Sequence, residues 1–478
     1  MDVGLLLGLA GGLASTTPPA RVAIVGGGIA GGATSYYLQS FLAKRGLPNA
    51  SLTVFERNDY VGGRLHAVTF GSQQLLIEVG GAAWTNNNHY MIELAAAMHM
   101  NTSLATPKAD TANLVVWNGS ALTGGIPLVL RNLRSLVKTL GIEAEFLHTL
   151  EANYAQQAAT TFRNLSTMLG WGDISRYTSS SIASYLAAAG VAPELIALGA
   201  VPLTRAIYNR DGGANSFSML ASLTAELSHH KVLEGNSRLV QALFDDAAAS
   251  LRLALNTSVA RIALRPASAE ATGDVEFEVL GADGSLGRFD HVVIAAPIER
   301  TGIAFDNMTL PDGATRDRGF TDWHVTLVEA NDLDMAQFSA PAAPLATPKW
   351  ACGGNCIVLT SSTGSTARTP YVCVQPLGKH AAAGASGTFM VYSDAALDAA
   401  TLAKLFVDVK DSMAWYHPYT FAGLEPDDGA AAQPVVLHEA GLINANAVES
   451  ISSAMEISAI GARNAAALIA ELAAARAA

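Results

Sequence analysis

Three glycines near the start of the chain have the spacing of a phosphate-binding turn. Gly26, Gly28 and Gly31 form the pattern G-x-G-x-x-G. Four apolar residues, 22–25, precede them and predict a buried parallel strand, and residues 29–41 follow with apolar side chains at helical spacing. At such a turn the first glycine permits the sharp bend, the second lets a pyrophosphate approach the backbone, and the third lets the helix pack closely on the sheet. The pattern predicts dinucleotide binding, the alternative being a glycine-rich turn between core elements.

An acidic residue follows at the position where such a ligand presents its ribose. The second predicted strand, 52–55, ends at Glu56. A carboxylate in this position accepts hydrogen bonds from the adenosine ribose hydroxyls and repels a 2′-phosphate. Glu56 therefore argues against a ligand of the NADP type.

A second motif, Gly62-Gly63-Arg64, lies just beyond Glu56. Nicotinamide enzymes have no general need for it, whereas flavin oxidoreductases of the amine-oxidase type use it to pass the backbone under the cofactor. The permanently charged guanidinium of Arg64 suits a pyrophosphate because it forks onto two oxygens. The alternative for Arg64 alone is a solvated surface arginine.

Three further stretches predict contacts with the rest of such a cofactor. The apolar segment 77–79 runs into Gly81 and Ala82, whose small size brings the backbone beside a flat ring. The predicted strand 259–262 offers the backbone of Val259 to an adenine. Near the C-terminus, a predicted strand 441–448 is closed by Glu449, and a long alanine-rich helix, 452–475, follows it. The start of that helix would stabilise negative charge on a reduced ring, the alternative being a terminal packing helix.

These residues require two domains to position them. The chain has 478 residues, of which half are hydrophobic and 15% are charged, so a large core is expected. The predicted fold class is α/β, with a Rossmann-like cofactor-binding domain built on a doubly wound parallel sheet and an inserted mixed α+β substrate domain. The cofactor-binding domain is predicted to comprise residues 21–90, 232–300 and 435–478, and the substrate domain residues 91–231 and 301–434.

Charge and composition exclude several classes of partner. The net charge of −12 leaves no basic stripe for nucleic acid and disfavours strong attraction to anionic membranes, so at most peripheral membrane association is expected. No apolar run is long enough to predict a transmembrane helix. Cys352 and Cys356 either close a small disulfide loop or are free thiols, and with Cys373 as the only other cysteine no metal site is expected.

The N-terminus and the sequons favour the secretory route. Residues 1–20 are expected to be a leader, with an apolar run at 5–13 and a small-x-small site that fits a short signal peptide; the alternative is a disordered leader. Asn-x-Ser/Thr sequons occur at six positions, which are Asn49, Asn101, Asn118, Asn164, Asn256 and Asn307.

With these features the chain resembles the prenylcysteine oxidases, also called farnesylcysteine lyases, a family of FAD-dependent enzymes with an amine-oxidase-like flavin fold. The glycine and FERNDYVGGRL blocks are shared by many flavin oxidases. The more specific blocks are LTRAIYNRDGGANSFSMLASL (203–223), WYHPY (415–419) and SSAMEISAIGARNAA (452–466).

The resemblance implies an FAD-dependent thioether oxidase that acts on free farnesylcysteine or geranylgeranylcysteine released from degraded prenylated proteins. Hydride would leave the allylic carbon bonded to sulfur, water would add there, and the hemithioacetal would collapse to cysteine and a prenyl aldehyde. Oxygen would be the acceptor and would yield hydrogen peroxide. Members of the family are lysosomal, vacuolar or endomembrane-associated.

The resemblance also assigns residues. It places Gly26, Gly28, Gly31, Glu56, Gly63, Arg64 and Val259 on adenosine and pyrophosphate, Gly81 and Ala82 beside the flavin, Glu449 at the ribityl or pyrophosphate region, and Met455 and Glu456 where a helix begins near the ring. Where relatives often carry a histidine after Gly-Ala-Ala, this chain has Asn86.

Hydride removal is the cofactor's chemistry, so few catalytic side chains are required. His417 and His438 are the candidates for a base that activates the attacking water, although each is more often a structural histidine. Two rival functions remain open from the sequence: another flavin oxidase of the same fold, acting on amines or as a desaturase, and a catalytically idle flavoprotein that binds prenyl lipids.

Overall fold

The structure is a computed structural model that describes residues 19–47, 50–105, 113–119, 122–123, 126–210, 212–223, 229–338, 356–360, 369–377, 386–421, 426 and 432–477. Most of the predicted leader, the sequon at Asn49 and Cys352 lie outside the described residues, so the possible Cys352–Cys356 disulfide stays a prediction.

The described strands, in chain order, are β1 (Arg21–Val25), β2 (Ser51–Phe55), β3 (Ala67–Phe70), β4 (Leu75–Glu78), β5 (Thr102–Ala105), β6 (Asn113–Trp117), β7 (Leu122–Thr123), β8 (His229–Val232), β9 (Leu251–Ala254), β10 (Arg261–Pro266), β11 (Val275–Gly281), β12 (Gly284–Phe289), β13 (His291–Ile294), β14 (Ala304–Asp306), β15 (Thr321–Leu333), β16 (Cys356–Thr360), β17 (Cys373–Leu377), β18 (Gly387–Ser393), β19 (Phe406–Phe421), β20 (Val436–His438) and β21 (Leu442–Asn444).

The described α-helices are α1 (Ile29–Lys44), α2 (His89–Ala97), α3 (Ile126–Thr139), α4 (Ile142–Ala159), α5 (Leu165–Gly170), α6 (Ser175–Thr178), α7 (Ile182–Ala188), α8 (Pro193–Leu195), α9 (Val201–Tyr208), α10 (Ser216–Leu223), α11 (Ser237–Asp246), α12 (Ala399–Leu405) and α13 (Met455–Ala477). Short 3-10 helices span Trp171–Asp173, Ile298–Arg300, Met335–Phe338 and Ala445–Ser450, and a π-helical turn spans Ile196–Ala200.

A six-stranded sheet in the order β20-β21-β13-β1-β2-β9 carries the glycine motif. All its pairings are parallel except that of β20 with β21. Because side chains alternate along β1, Val22 and Ile24 pack with helices α1, α11 and α13, whereas Ala23 and Val25 face the opposite side. The predicted Rossmann-like α/β fold is confirmed.

A doubly wound sheet has helices on both faces, but the second face of this sheet is covered by another sheet. A four-stranded sheet in the order β12-β11-β10-β14 packs there, joined through a shared core that includes Phe55, Ile262 and Phe277. Strands β11 and β12 of this sheet pair as an antiparallel hairpin. The crossover from β9 to β13 therefore passes through an antiparallel sheet, because that segment alternates apolar and polar residues at the strand period.

A seven-stranded sheet in the order β19-β15-β18-β17-β16-β6-β7 forms the second main body. Five of its strands, β15 to β19, come from residues 321–421, and β6 and β7 come from the earlier part of the predicted substrate domain. Helices α4 to α10 pack together around buried aromatic residues such as Phe146, Tyr177 and Phe217, and they share a core with the layer of α1 and α13. The boundaries of the two predicted domains remain a prediction.

The expectation that no apolar run is long enough for a transmembrane helix was wrong by the criteria of length and composition, because helix α13 meets them. Its 23 residues include an 18-residue window with a mean hydropathy of 1.3. However, 72% of that window is buried inside the protein, where Ala462 and Ala466 allow α13 to pack closely with α1. A buried apolar helix is what the core of a protein of this size requires, so the apolar composition is explained by packing.

Candidate functional site

A cavity of about 810 Å³ runs through the protein from the glycine motif to the helices α4, α9 and α10. One end is formed by the turn between β1 and α1, together with Glu56, Arg64 and Val259. The middle is formed by residues 79–85 and by the start of α13. The far end lies between the helices and the seven-stranded sheet. This main cavity brings together most of the residues that the sequence predicted as a site.

The glycine turn has the shape that a pyrophosphate requires. A Cβ atom on Gly31 would lie 2.0 Å from the backbone oxygen of Gly26, so only glycine lets α1 begin this close to the strand. A Cβ atom on Gly28 would meet only the backbone oxygen of Gly62, at 3.6 Å. The protein itself therefore leaves room for a side chain at Gly28, which lines the main cavity, and the open space there fits a ligand.

The GGR segment packs directly against this turn. Gly62 donates from its backbone nitrogen to the backbone oxygen of Gly27 at 2.9 Å, and Gly28 and Gly62 form a parallel bridge. Gly63 lines the main cavity with a left-handed φ of 57°. The segment thus places a second strip of bare backbone along the cavity.

Glu56 is buried at the end of β2. Its carboxylate accepts from the backbone nitrogens of Gly27, at 2.7 Å, and of Asn58, at 2.8 Å. These two donors orient the side chain at the cavity wall, in the position predicted for ribose recognition. Val259 also lines the cavity, but it lies in the loop before β10, which begins at Arg261 and not at residue 259 as expected.

Arg64 and Glu449 meet in the wall of the main cavity although 385 residues separate them. The two guanidinium nitrogens donate to the two carboxylate oxygens of Glu449, with Nη2 and Oε2 at 3.0 Å. Asn446 donates to the same carboxylate at 2.7 Å. Burial opposes ionisation of Glu449, but the charge and hydrogen bonds of Arg64 outweigh it and hold the pKa of Glu449 below its usual value.

Glu449 lies on a 3-10 helix and not at the end of a strand. The predicted strand 441–448 is shorter, since β21 covers only Leu442–Asn444 and the 3-10 helix Ala445–Ser450 follows it. The Asn444 side chain accepts from the backbone nitrogen of Asn446 at 3.1 Å and starts that turn. Glu449 is thereby aimed at Arg64.

Gly81 and Met455 approach one another where the flavin ring was expected. A Cβ atom on Gly81 would lie 3.7 Å from the sulfur of Met455. Helix α13 begins at Met455, three residues later than expected, and Ala82, Met455 and Glu456 all line the cavity. The helix start predicted to face the ring is therefore in the cavity wall.

The structure separates the two candidate histidines. His417 lies on β19, opposite Trp323 on β15, and lines the main cavity. His438 lies on β20, against the Phe277 ring, and does not line the cavity; its Nδ1 accepts from the backbone nitrogen of Ala440 at 3.1 Å. A base acting in the cavity can be His417 but not His438 in this arrangement, because a general base must reach the atom it deprotonates.

The sequence analysis did not identify the far end of the main cavity. Its helical wall is apolar and includes Leu150, Met168, Leu203, Ile207, Phe217 and Ala221, and its sheet wall includes Trp323, Cys373, Gln375, Met390 and Tyr392. Several of the helical residues lie in the block 203–223, which the sequence analysis used only to recognise the family and not to predict a binding wall. Asn86, the departure from relatives, accepts from or donates to His230 Nε2 at 2.6 Å, outside this wall.

Comparisons with known proteins show the family of the chain. The family model described as prenylcysteine lyase matches residues 132–477, more than half of the chain, and a model described as an NAD(P)-binding Rossmann-like domain matches residues 24–97. Farnesylcysteine lyase from Arabidopsis thaliana is 22% identical, covering 94% of this chain and 88% of the relative. Prenylcysteine oxidase 1 from Mus musculus is 26% identical, covering 98% and 92%.

Solved structures share the fold. Cyclohexylamine oxidase from Brevibacterium oxydans IH-35A superposes with a TM-score of 0.58 at 15% identity, covering 95% of this chain and 99% of that one. The match to a Rossmann-like domain and this fold indicate a cofactor of the flavin type. The chain belongs to the prenylcysteine lyase family and is an oxidoreductase built on this fold.

Proposed function

We propose that this protein is an FAD-dependent oxidase of free prenylcysteine, with farnesylcysteine or geranylgeranylcysteine as substrate. One prenylcysteine, one O₂ and one water would give cysteine, a prenyl aldehyde and hydrogen peroxide. The observation that carries the proposal is the main cavity, which joins a glycine cradle to an apolar wall in a member of the prenylcysteine lyase family.

The residues of the near end fit FAD. Gly26, Gly28 and Gly63 would face the pyrophosphate, Glu56 the ribose, and Val259 the adenine. When bound, FAD supplies the acceptor for the hydride that leaves the carbon next to sulfur. Arg64 is held by Glu449, so its positive charge is fixed beside the cofactor path without freedom to move into solvent.

The apolar helical wall would hold the prenyl chain. Leu150, Leu203, Ile207 and Phe217 present no charged group to the main cavity. Removing the chain from water contributes about 0.8 kcal/mol per buried CH₂ group, so binding energy would come mainly from this end. An amine substrate with a short carbon chain would leave much of the wall uncovered.

The sheet wall would receive the cysteine end and the attacking water. Gln375 and Tyr392 offer polar atoms there, and His417 is our candidate for the base that takes the proton of the water. Burial raises the pKa of the Cys373 thiol to about 12, so it would be neutral in the cavity and would not compete as a nucleophile.

We further propose that the protein travels through the secretory pathway to a lysosome or vacuole, with at most peripheral attachment to membranes. Supporting this are the sequons at Asn164, Asn256 and Asn307, whose asparagines are exposed.

The test is turnover of defined thioethers by the purified protein loaded with FAD. Anaerobic mixing with farnesylcysteine should bleach the flavin absorbance, and aerobic turnover should release aldehyde and peroxide in equal amounts. Cyclohexylamine and putrescine are the comparison substrates, because oxidases named for both share the fold. Oxidation of the amines with no bleaching by farnesylcysteine would contradict the proposal in favour of an amine oxidase.

A further inference from the structure

A second cavity, of about 250 Å³, lies behind the wall of the main cavity. It is lined by residues of α1, α2, α4 and α13, among them Tyr37, His89, Tyr90, Tyr154 and Arg463. Tyr154 lines both cavities, so its side chain separates the two spaces. The volume is enough for several water molecules, since each occupies about 30 Å³ in the liquid.

Tyr37 shows that this second cavity needs a polar occupant. Its side chain is only 3% exposed, and its hydroxyl has no hydrogen-bond partner among the described residues. A buried hydroxyl without a partner costs free energy, and water in the cavity would satisfy it. The second cavity is therefore expected to be wet.

Glu456 connects this region to the main cavity. Its carboxylate is buried and accepts from the backbone nitrogens of Tyr90 and Met91, each at 2.9 Å, at the start of α2. The Tyr154 hydroxyl is 2.9 Å from Oε1 of Glu456 and 3.2 Å from the backbone oxygen of Asn87.

These distances permit two proton arrangements with the heavy atoms in place. When Glu456 is ionised, the Tyr154 hydroxyl donates to Oε1. When Glu456 is protonated on Oε1, the carboxyl donates to the Tyr154 oxygen, and the hydroxyl hydrogen turns to the backbone oxygen of Asn87. Both arrangements satisfy the two groups, so the carboxyl can gain and lose a proton without a rearrangement of α2, α4 or α13.

The groups around Glu456 favour neither its ionised nor its protonated form strongly. Burial raises the pKa of Glu456 to about 7, while hydrogen bonds from Tyr90, Met91 and Tyr154 oppose the rise and the nearby Glu93 adds to it. The other titratable groups that line this region are Tyr36, Tyr37 and Lys44 on α1, His89 and Tyr90 on α2, and Arg463 on α13, whose guanidinium lies over the Tyr90 ring at 5.5 Å.

The proposed reaction needs a holder for one proton. Oxidation of the thioether with water to aldehyde and thiol releases two electrons and two protons, and O₂ takes up two of each to form hydrogen peroxide. With two electrons and one proton leaving together as hydride, the second proton is released when substrate is oxidised and is required again when O₂ is reduced.

We propose that Glu456 and Tyr154 form the proton store that keeps this proton between the two half-reactions and exchanges it with water in the second cavity. This inference rests on the proposed function, because the proposed reaction is what requires a stored proton. The pair itself is a feature of the protein that can be tested without prenylcysteine.

The experiment reduces the FAD-loaded protein chemically at about pH 8, where a carboxyl with a pKa of about 7 is mostly ionised before reduction, and counts the protons taken up per flavin. The wild type is expected to take up about two protons and Glu456→Gln about one, because the variant cannot be protonated at this position. Infrared difference spectra should show a carboxyl band that appears on reduction in the wild type, is absent in Glu456→Gln and is shifted in Tyr154→Phe.

Tyr185→Phe is the matched control, since Tyr185 lies on α7 and lines neither cavity. It should retain the wild-type proton count and band. Equal proton counts in the wild type and Glu456→Gln, or a wild-type band unchanged in Tyr154→Phe, would overturn the proton store. Failure of the protein to take up FAD would overturn the proposed function instead. If Glu456→Gln does not fold, the band shift in Tyr154→Phe decides.

Discussion

At the scale of single residues, the main cavity depends on pairs that no local pattern links. Glu449 holds Arg64, and Tyr154 meets Glu456 from a helix 302 residues away in the chain. In each pair a buried carboxylate is satisfied by several donors, which is required because an unpaired buried charge would cost several kcal/mol. The side chains of the cavity are thus held in position before any ligand binds.

His417 provides the first prediction at this scale. Replacement by alanine should lower kcat for farnesylcysteine about 100-fold, which is the size of contribution expected from a general base, while FAD content stays unchanged. Steady-state turnover and the flavin spectrum measure the two quantities. His438→Ala is the comparison, because that ring lies outside the cavity and its loss should leave kcat unaltered; equal effects of the two changes would exclude the role of His417.

Glu78 provides a prediction for the pH dependence of stability. Burial raises the pKa of Glu78 from 4.5 to about 7, and one carboxylate oxygen has no partner among the described residues. A raised pKa means that the folded state holds the proton more tightly, so the contribution to stability is complete below pH 4.5 and is lost as the pH rises through 7. The loss is at most about 3 kcal/mol.

Unfolding by urea at pH 5 and pH 8 measures this effect. Glu78→Gln keeps the shape but does not titrate, so the free energy of unfolding of the wild type relative to this variant should fall between the two pH values. A difference between the two proteins that is the same at both pH values would contradict the assignment.

At the scale of elements, α13 is the part that assembles the site. Its first residues line the cavity, its alanines pack on α1, and it supports the 3-10 helix that carries Glu449. Gly461 allows α13 to contact this 3-10 helix. A Cβ atom at Gly461 would lie 2.0 Å from the backbone oxygen of Ala445 and 2.7 Å from a methyl group of Val448.

Gly461→Ala should therefore displace the 3-10 helix. We expect a loss of about 1–3 kcal/mol in the free energy of unfolding, with weaker FAD binding because Glu449 moves away from Arg64. Gly170→Ala is the control, since a Cβ atom there meets nothing within 4 Å and the backbone is right-handed. Denaturant unfolding and FAD titration measure both effects; equal stability and FAD affinity of the two variants would show that the contact is not limiting.

At the scale of the whole molecule, the main cavity exists because three bodies meet. The six-stranded sheet supplies the glycine cradle, helices among α4 to α10 supply the helical wall, and the seven-stranded sheet supplies the wall that carries Gln375, Tyr392 and His417. Substrate choice should accordingly depend on residues far from the cofactor motifs.

Ala221→Phe tests that expectation. The added ring would fill part of the cavity beside Phe217. The value of kcat/KM for farnesylcysteine should therefore fall about tenfold or more, which is equivalent to losing the burial of about two CH₂ groups. A cysteine thioether with a five-carbon prenyl group should be affected less, because it needs less of the wall. An equal fall for both substrates would mean that the prenyl chain does not reach Ala221.

The sequence by itself determined the local parts: the strand, glycine turn and helix at 22–44, the acid at Glu56, and the Rossmann-like class of fold. These follow from backbone geometry and from side-chain periodicity within a few residues, which any chain of this pattern obeys. It placed Glu449 at the end of a strand over 441–448, began a strand at Val259 and treated His438 as equal to His417. These predictions were wrong because the ends of elements and the direction of side chains depend on neighbours distant in the chain. Only the tertiary structure decided that Arg64 faces Glu449, that Tyr154 lines two cavities and that a four-stranded mixed sheet covers one face of the six-stranded sheet. Those contacts are selected by the packing of whole elements, and no short-range pattern encodes them.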